Sequence, residues 1–171
     1  IRQWDMDNGT KLLVWAVCTL AFHGAFRVHE LLCRTETSFD PAYDLLRQDI
    51  KVETVKNAGE MTRFLTVRLK SPKEQRDGKV VIVDVFESGG DICPVRAYCK
   101  WEKMSRGEAE WPVFRLPCGT PLTGRKLNSY LRILLGGSVD YRRGKISSHS
   151  FRSGIASILG SKGFSDEEIK Q

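Results

Sequence analysis

The chain has 171 residues, of which 41% are hydrophobic and 28% charged, a balance that supports one compact domain with its own core and gives no case for disorder. No apolar stretch approaches the roughly 20 residues that a membrane-spanning helix needs. The 27 Lys and Arg against 21 Asp and Glu leave a net charge of +6, which suits a polyanionic partner but is shared by many ordinary proteins.

The elements follow in order. Apolar residues recur at helical spacing over residues 10–23 (Leu12, Leu13, Ala16, Val17, Leu20, Ala21), with Thr10 as the expected N-cap. Gly24 breaks the pattern, and a second short helix is expected over residues 26–33, burying Val28, Leu31 and Leu32. Three strands are expected over residues 49–55, 63–69 and 79–86. The last two flank a polar loop containing Ser71, Pro72 and Gly78, as in a hairpin. Pro94 suits the first position of a helix to Met104. Residues 111–122 carry three prolines and a glycine and read as loop. Thr123 is placed to cap a helix over residues 124–135, ended by Gly136 and Gly137. A further helix is expected over residues 149–161, stopped by Gly163, and Ser165 caps a last one beginning at Asp166. Trp15 and Trp101 are assigned to the core. The fold class is α+β: a mainly helical domain with a small three-stranded antiparallel sheet.

The five cysteines are odd in number and form no CxxC pair, which points to free thiols in a reducing compartment. His29 and Cys33 share a face of the expected second helix, where burial is a better account than a metal ion. No metal or other cofactor is expected, and no phosphate-binding glycine loop or serine-hydrolase motif is present.

Three places can carry chemistry. His149 and Arg152, three residues apart, project from one face of a helical first turn whose free N–H groups favour an anion; together they suit a phosphate. The plain alternative is a capped helix with a surface arginine. Arg27 sits in the first turn of its helix, a mildly unfavourable position for a cation unless it meets an anion, and Glu30 can hold it one turn on. A surface ion pair explains that spacing as well. The hairpin loop offers Lys70, Lys73, Arg76 and Lys79, either as a solvated charge run or as a loop presenting one ammonium to a leaving oxygen.

In this order, the three places resemble the boxes of the tyrosine recombinase (phage integrase) family. GAFRVHELL resembles the family's first arginine box, the hairpin lysine its middle element, and SSHSFRSGIAS its second arginine box. WPVFRLPCGTPLTGRKLNSYLRILL looks like the connecting stretch. The wording around HSFRSG and SPKEQR is closest to the eukaryotic retroelement and Crypton-like branch. The likeness runs over most of the chain, from Lys11 to Gln171.

The resemblance implies the tyrosine recombinase catalytic-domain fold and site-specific cleavage and rejoining of DNA through a 3′-phosphotyrosyl intermediate. Arg27 and Arg152 would grip the nonbridging oxygens of the scissile phosphate. His149 would assist as proton acceptor or hydrogen-bond donor, and Glu30 would orient the first box. Lys73 would be the general acid, with Lys70 the alternative because Pro72 leaves the hairpin register open. Such chemistry needs no metal: fixed guanidinium forks stabilise the extra charge of the transition state, and the covalent link conserves bond energy.

Arg68, Arg125, Lys126, Arg132, Arg142, Arg143 and Lys145 are candidate contacts to DNA backbone phosphates. The implied partners are double-stranded DNA and, in the full-length protein, three further copies in a synaptic tetramer. The implied location is the nucleus if the source is eukaryotic, otherwise the cytoplasm. The family's nucleophile follows its second arginine box, whereas Tyr43, Tyr98, Tyr130 and Tyr141 all precede His149. The 171 residues are therefore expected to form a single catalytic domain that stops short of the nucleophilic tyrosine and lacks the N-terminal DNA-clamping domain, and so cannot cleave DNA alone. Two other functions share these features: a domesticated DNA-binding module without catalysis, and a type IB topoisomerase.

Overall fold

A computed structural model describes residues 6–57, 59–70, 80–136, 150–163 and 165. Helix α1 (Asn8–His23) starts two residues before the expected N-cap. Asp7 is the cap: its carboxylate accepts the Thr10 N–H at 2.8 Å and also the Thr10 hydroxyl, so Thr10 lies inside the first turn and is itself buried. The face bearing Leu13, Ala16, Val17 and Leu20 is fully buried. Trp15 is the exception to expectation, at 45% exposed. It stands about 200° around the helix from Leu13 and from Val17, on the face turned away from the core.

The end of α1 is a left-handed cap of unusual composition. Phe26 N–H donates to Ala21 O at 3.0 Å and Ala25 N–H to Phe22 O at 3.3 Å, the paired bonds of a Schellman motif. The residue in the left-handed region is Ala25, with φ 51°, although glycine is the usual occupant. Gly24 serves a different need: a Cβ there would lie 2.2 Å from Cε2 of the Phe26 ring. Ala25→Gly is therefore expected to raise stability by about 1 kcal/mol by removing the left-handed penalty. A thermal melt in which the variant unfolds at or below the wild-type temperature contradicts this.

After this cap comes α2 (Val28–Leu31), one turn rather than the eight residues expected. Leu32 is already extended, and Cys33 forms a parallel bridge with Thr123. That long-range pairing ends the helix, so His29 and Cys33 do not share a helical face. Val28, Leu31 and Leu32 are buried as expected.

A 3-10 turn (Arg47–Asp49) leads into the sheet of β1 (Ile50–Asn57), β2 (Glu60–Leu69) and β3 (Val81–Phe86), antiparallel in the order β1-β2-β3. Register pairs Val52 with Leu65 and Val67 with Val83. Period-2 alternation buries Leu65, Val67 and Leu69 of the central strand, whereas Ile50 is the one buried residue described in β1. Helix α3 (Pro94–Met104) begins on its proline as expected and buries Val95, Tyr98 and Trp101 against α1. Trp101 packs between Tyr98 and Phe114, with ring centroids 5.7 and 5.2 Å away. Helix α4 (Gly124–Leu135) is capped by Thr123, whose hydroxyl accepts the Lys126 N–H at 3.2 Å. Helix α5 (Ser150–Ser161) packs on α1 and ends before Gly163, at φ 90°. The expected final helix from Asp166 lies outside the described residues.

The result is the α+β domain expected: α1 and α3 form the centre, with the sheet beside α3 and with α2 and α5 against α1. All five cysteines are unbridged. Burial pushes the thiols of Cys18 and Cys33 up to about 12, so both behave as small hydrophobes. No described helix is long and apolar enough to cross a membrane.

Candidate functional site

Arg27 leaves the α1 cap as the residue before α2, with its backbone extended at φ −74° and ψ 135°. Glu30 binds it twice. Its Oε2 accepts the Arg27 backbone N–H at 2.7 Å, and its Oε1 accepts from the guanidinium Nη1 at 3.3 Å. The Glu30 side chain is 8% exposed and that of Arg27 24%. The carboxylate is thus fixed within the protein, and the guanidinium it holds stays partly exposed. Of the two sequence alternatives, this geometry is more than a solvated surface pair: a buried acid orients a partly buried cation.

Glu30 lines a cleft of about 250 Å3 together with His29, Arg34, Tyr43, Asp44, Leu45, Leu69 and Lys70. The first arginine box and the foot of the hairpin therefore share one cavity. Lys70 sits at the end of β2 with its ammonium 2.6 Å from Asp49 Oδ2 and its side chain 13% exposed. It also donates to the Pro41 carbonyl at 3.0 Å. A neighbouring cleft, again lined by His29 and Arg34, reaches Thr123, Gly124 and Arg125 at the start of α4.

Arg152 is half-buried in the first turn of α5. Two residues on, Gly154 faces α1 so closely that a Cβ would stand 3.5 Å from the Phe22 ring. Phe22 lies five residues before Arg27, which puts the first turns of α5 against the end of α1 from which Arg27 departs. Of the other sequence candidates, Arg68 lies on the sheet with its Nη1 3.6 Å from Asp49 Oδ1. Arg125 and Arg132 are exposed on α4, and the Lys126 ammonium is 5.8 Å from the centre of the Tyr130 ring. Lys73, Arg142, Arg143, Lys145 and His149 lie outside the described residues.

Sequence reasoning missed His29, Arg34, Tyr43 and Asp49. Arg34 carries a weak signal, a second arginine seven residues after Arg27. Asp49 has none, because its partners Arg68 and Lys70 come some twenty residues later. Among the described residues no cluster of His, Cys, Asp and Glu could hold a metal ion.

No family model and no curated protein matches the chain. Solved structures do. The FLP recombinase–Holliday junction complex superposes with a TM-score of 0.59 at 16% identity, over 94% of this chain and 37% of that one. The Flpe–Holliday junction complex gives 0.59 at 16% identity, over 97% and 42% respectively. The chain thus has the tyrosine recombinase catalytic-domain fold and spans about two fifths of the length of those chains.

Proposed function

We propose that this chain is the phosphate-gripping domain of an enzyme that cleaves and rejoins DNA at specific sites through a 3′-phosphotyrosyl link. Arg27 and Arg152 hold the nonbridging oxygens of the scissile phosphate, and Glu30 orients Arg27. His149 serves as proton acceptor or hydrogen-bond donor. Lys73 gives its proton to the departing 5′ oxygen as the P–O bond to that oxygen breaks and the tyrosyl oxygen bonds to phosphorus. The nucleophilic tyrosine belongs to a part of the protein beyond these 171 residues, as does a DNA-clamping domain. The full-length enzyme works as a tetramer on two synapsed duplexes, in a nuclear mobile element of the retroelement or Crypton-like kind.

The observation that carries this reading is the partly exposed guanidinium of Arg27, oriented by Glu30. A buried acid that binds both the backbone and the side chain of an arginine holds the fork in one orientation before any ligand arrives, as stabilisation of a phosphoryl transition state requires. The fold supports it: the FLP structures that share it are complexes with Holliday junctions. So does the net charge of +6. The described tyrosines fit other roles. Tyr98 is buried with its hydroxyl on Glu102, and burial and that carboxylate raise its pKa. Burial also raises the pKa of Tyr130. Tyr43 is exposed on the cleft wall.

A suicide duplex that loses its leaving strand is the test. Full-length protein is expected to accumulate a covalent DNA adduct and Arg152→Ala to accumulate none. An Arg152→Ala protein that traps DNA as well as wild type overturns the role given to Arg152, and wild-type protein that never traps DNA overturns the function. Duplex binding should weaken steeply with added salt, because each neutralised phosphate releases a counterion.

A further inference from the structure

Asp49 is the one fully buried carboxylate among the described residues. Its side chain is 1% exposed. Besides the Lys70 ammonium at 2.6 Å, its Oδ2 accepts the Leu46 N–H at 2.9 Å. The same ammonium donates to the carbonyls of Pro41 at 3.0 Å and Asp44 at 3.4 Å. An ammonium has three protons, and these three acceptors engage all of them. Lys70 therefore ties the end of β2 to the 3-10 turn and to the loop over residues 41–46. Tyr43, Asp44 and Leu45 of that loop line the cleft that also holds Glu30, the residue that fixes Arg27.

We infer that Lys70 is a positioning residue: clamped by Asp49, it sets the wall of the cleft that Glu30 also lines and gives no proton to the leaving oxygen. This inference rests on the strand-transfer reading above. If the Lys70 ammonium left this seat, the buried Asp49 carboxylate would lose its nearest cation and keep only Arg68, 3.6 Å away and half-exposed. A general acid must also reach the oxygen it protonates, and to do so Lys70 would have to abandon all three acceptors.

Full-length Lys70→Met and the double variant Asp49→Leu/Lys70→Met separate the roles. The double variant is included because an apolar pair in place of a buried ion pair commonly preserves the fold, whereas one partner alone strands a charge. Two measurements are made: amide exchange at Leu46, and single-turnover cleavage of two duplexes, one normal and one with sulfur as the 5′ bridging atom. A thiolate leaves readily without being protonated. In Lys70→Met, which keeps Asp49 as the acceptor of the Leu46 N–H, that amide is expected to exchange at least about tenfold faster while β2 stays protected. Cleavage should fall at least about tenfold on both duplexes, with DNA affinity unchanged, as misplacement of a site wall predicts.

Unchanged Leu46 exchange overturns the clamp. Cleavage restored on the sulfur duplex makes Lys70 the proton donor and overturns the positioning role, and so does wild-type cleavage despite a loosened loop. Wild-type protein that forms no adduct overturns the strand-transfer reading and this role with it, a result that the exchange measurement keeps distinct from failure of the clamp.

Discussion

Arg27→Ala in the full-length protein is expected to slow single-turnover DNA cleavage by about a thousandfold while changing duplex affinity only a few-fold. Removing one preorganised donor from a site that stabilises developing charge costs about 2.7–4 kcal/mol, or a hundredfold to a thousandfold in rate. The upper end applies here because of Glu30. With the guanidinium gone, its carboxylate keeps the residue-27 backbone N–H at 2.7 Å but loses the cation that sits 3.3 Å from it. A buried negative charge then faces the phosphate. Affinity changes little because many other basic groups share the backbone contacts. Arg27→Lys should restore little of the rate, since an ammonium offers neither the fork nor the second donor that Glu30 and a phosphate oxygen would share. An Arg27→Ala enzyme within tenfold of wild type would remove Arg27 from the reaction. Comparing Arg27→Ala with Arg27→Ala/Glu30→Gln isolates the repulsion: neutralising the stranded acid should recover part of the rate, and no recovery would mean that Glu30 lies outside the field of the phosphate.

What was legible in the sequence was what depends on neighbours in the chain. Helix α3 starts on Pro94 and α4 on the Thr123 cap because both signals act within one turn. The strand over residues 63–69 is legible because its alternation is local, and the structure buries Leu65, Val67 and Leu69 of it. The Arg27–Glu30 pair was readable for the same reason, since residues three apart meet on one face. Errors arose where distant residues decide. The second helix stops after a single turn because Cys33 pairs with Thr123, ninety positions later. Trp15 is expected in the core but is 45% exposed, because its place on α1 faces away from Leu13 and Val17. The sequence leaves Lys70 either a solvated loop charge or an ammonium for the leaving oxygen, whereas Asp49 and two backbone carbonyls engage its ammonium. No local rule predicts a pairing of that kind, because burial of either partner depends on the other already being in place. The second arginine box was read from its pattern alone, and of that box the described residues include Arg152 but not His149.

Gly24→Ala is expected to destabilise the protein by about 2–3 kcal/mol, lowering the unfolding temperature by roughly 5–10 °C for a chain of this size. The cause is contact rather than backbone strain. Gly24 has φ −88° and ψ 4°, a conformation open to alanine, but the added methyl would lie 2.2, 2.6 and 2.8 Å from three atoms of the Phe26 ring. That ring is buried in the core with Leu20 and Val28, so it cannot swing into solvent without opening a cavity, and close packing leaves little room for a smaller adjustment. Arg27 follows Phe26 directly, so a displaced ring shifts the guanidinium, and cleavage should fall further than stability alone explains. The partner substitution Phe26→Leu removes the clashing edge. If contact is the cause, Gly24→Ala should cost much less in a Phe26→Leu background than in wild type, a coupling of more than about 1 kcal/mol in a double-mutant cycle. Equal costs in both backgrounds would shift the blame to the backbone and break the proposed link from Gly24 through Phe26 to the site.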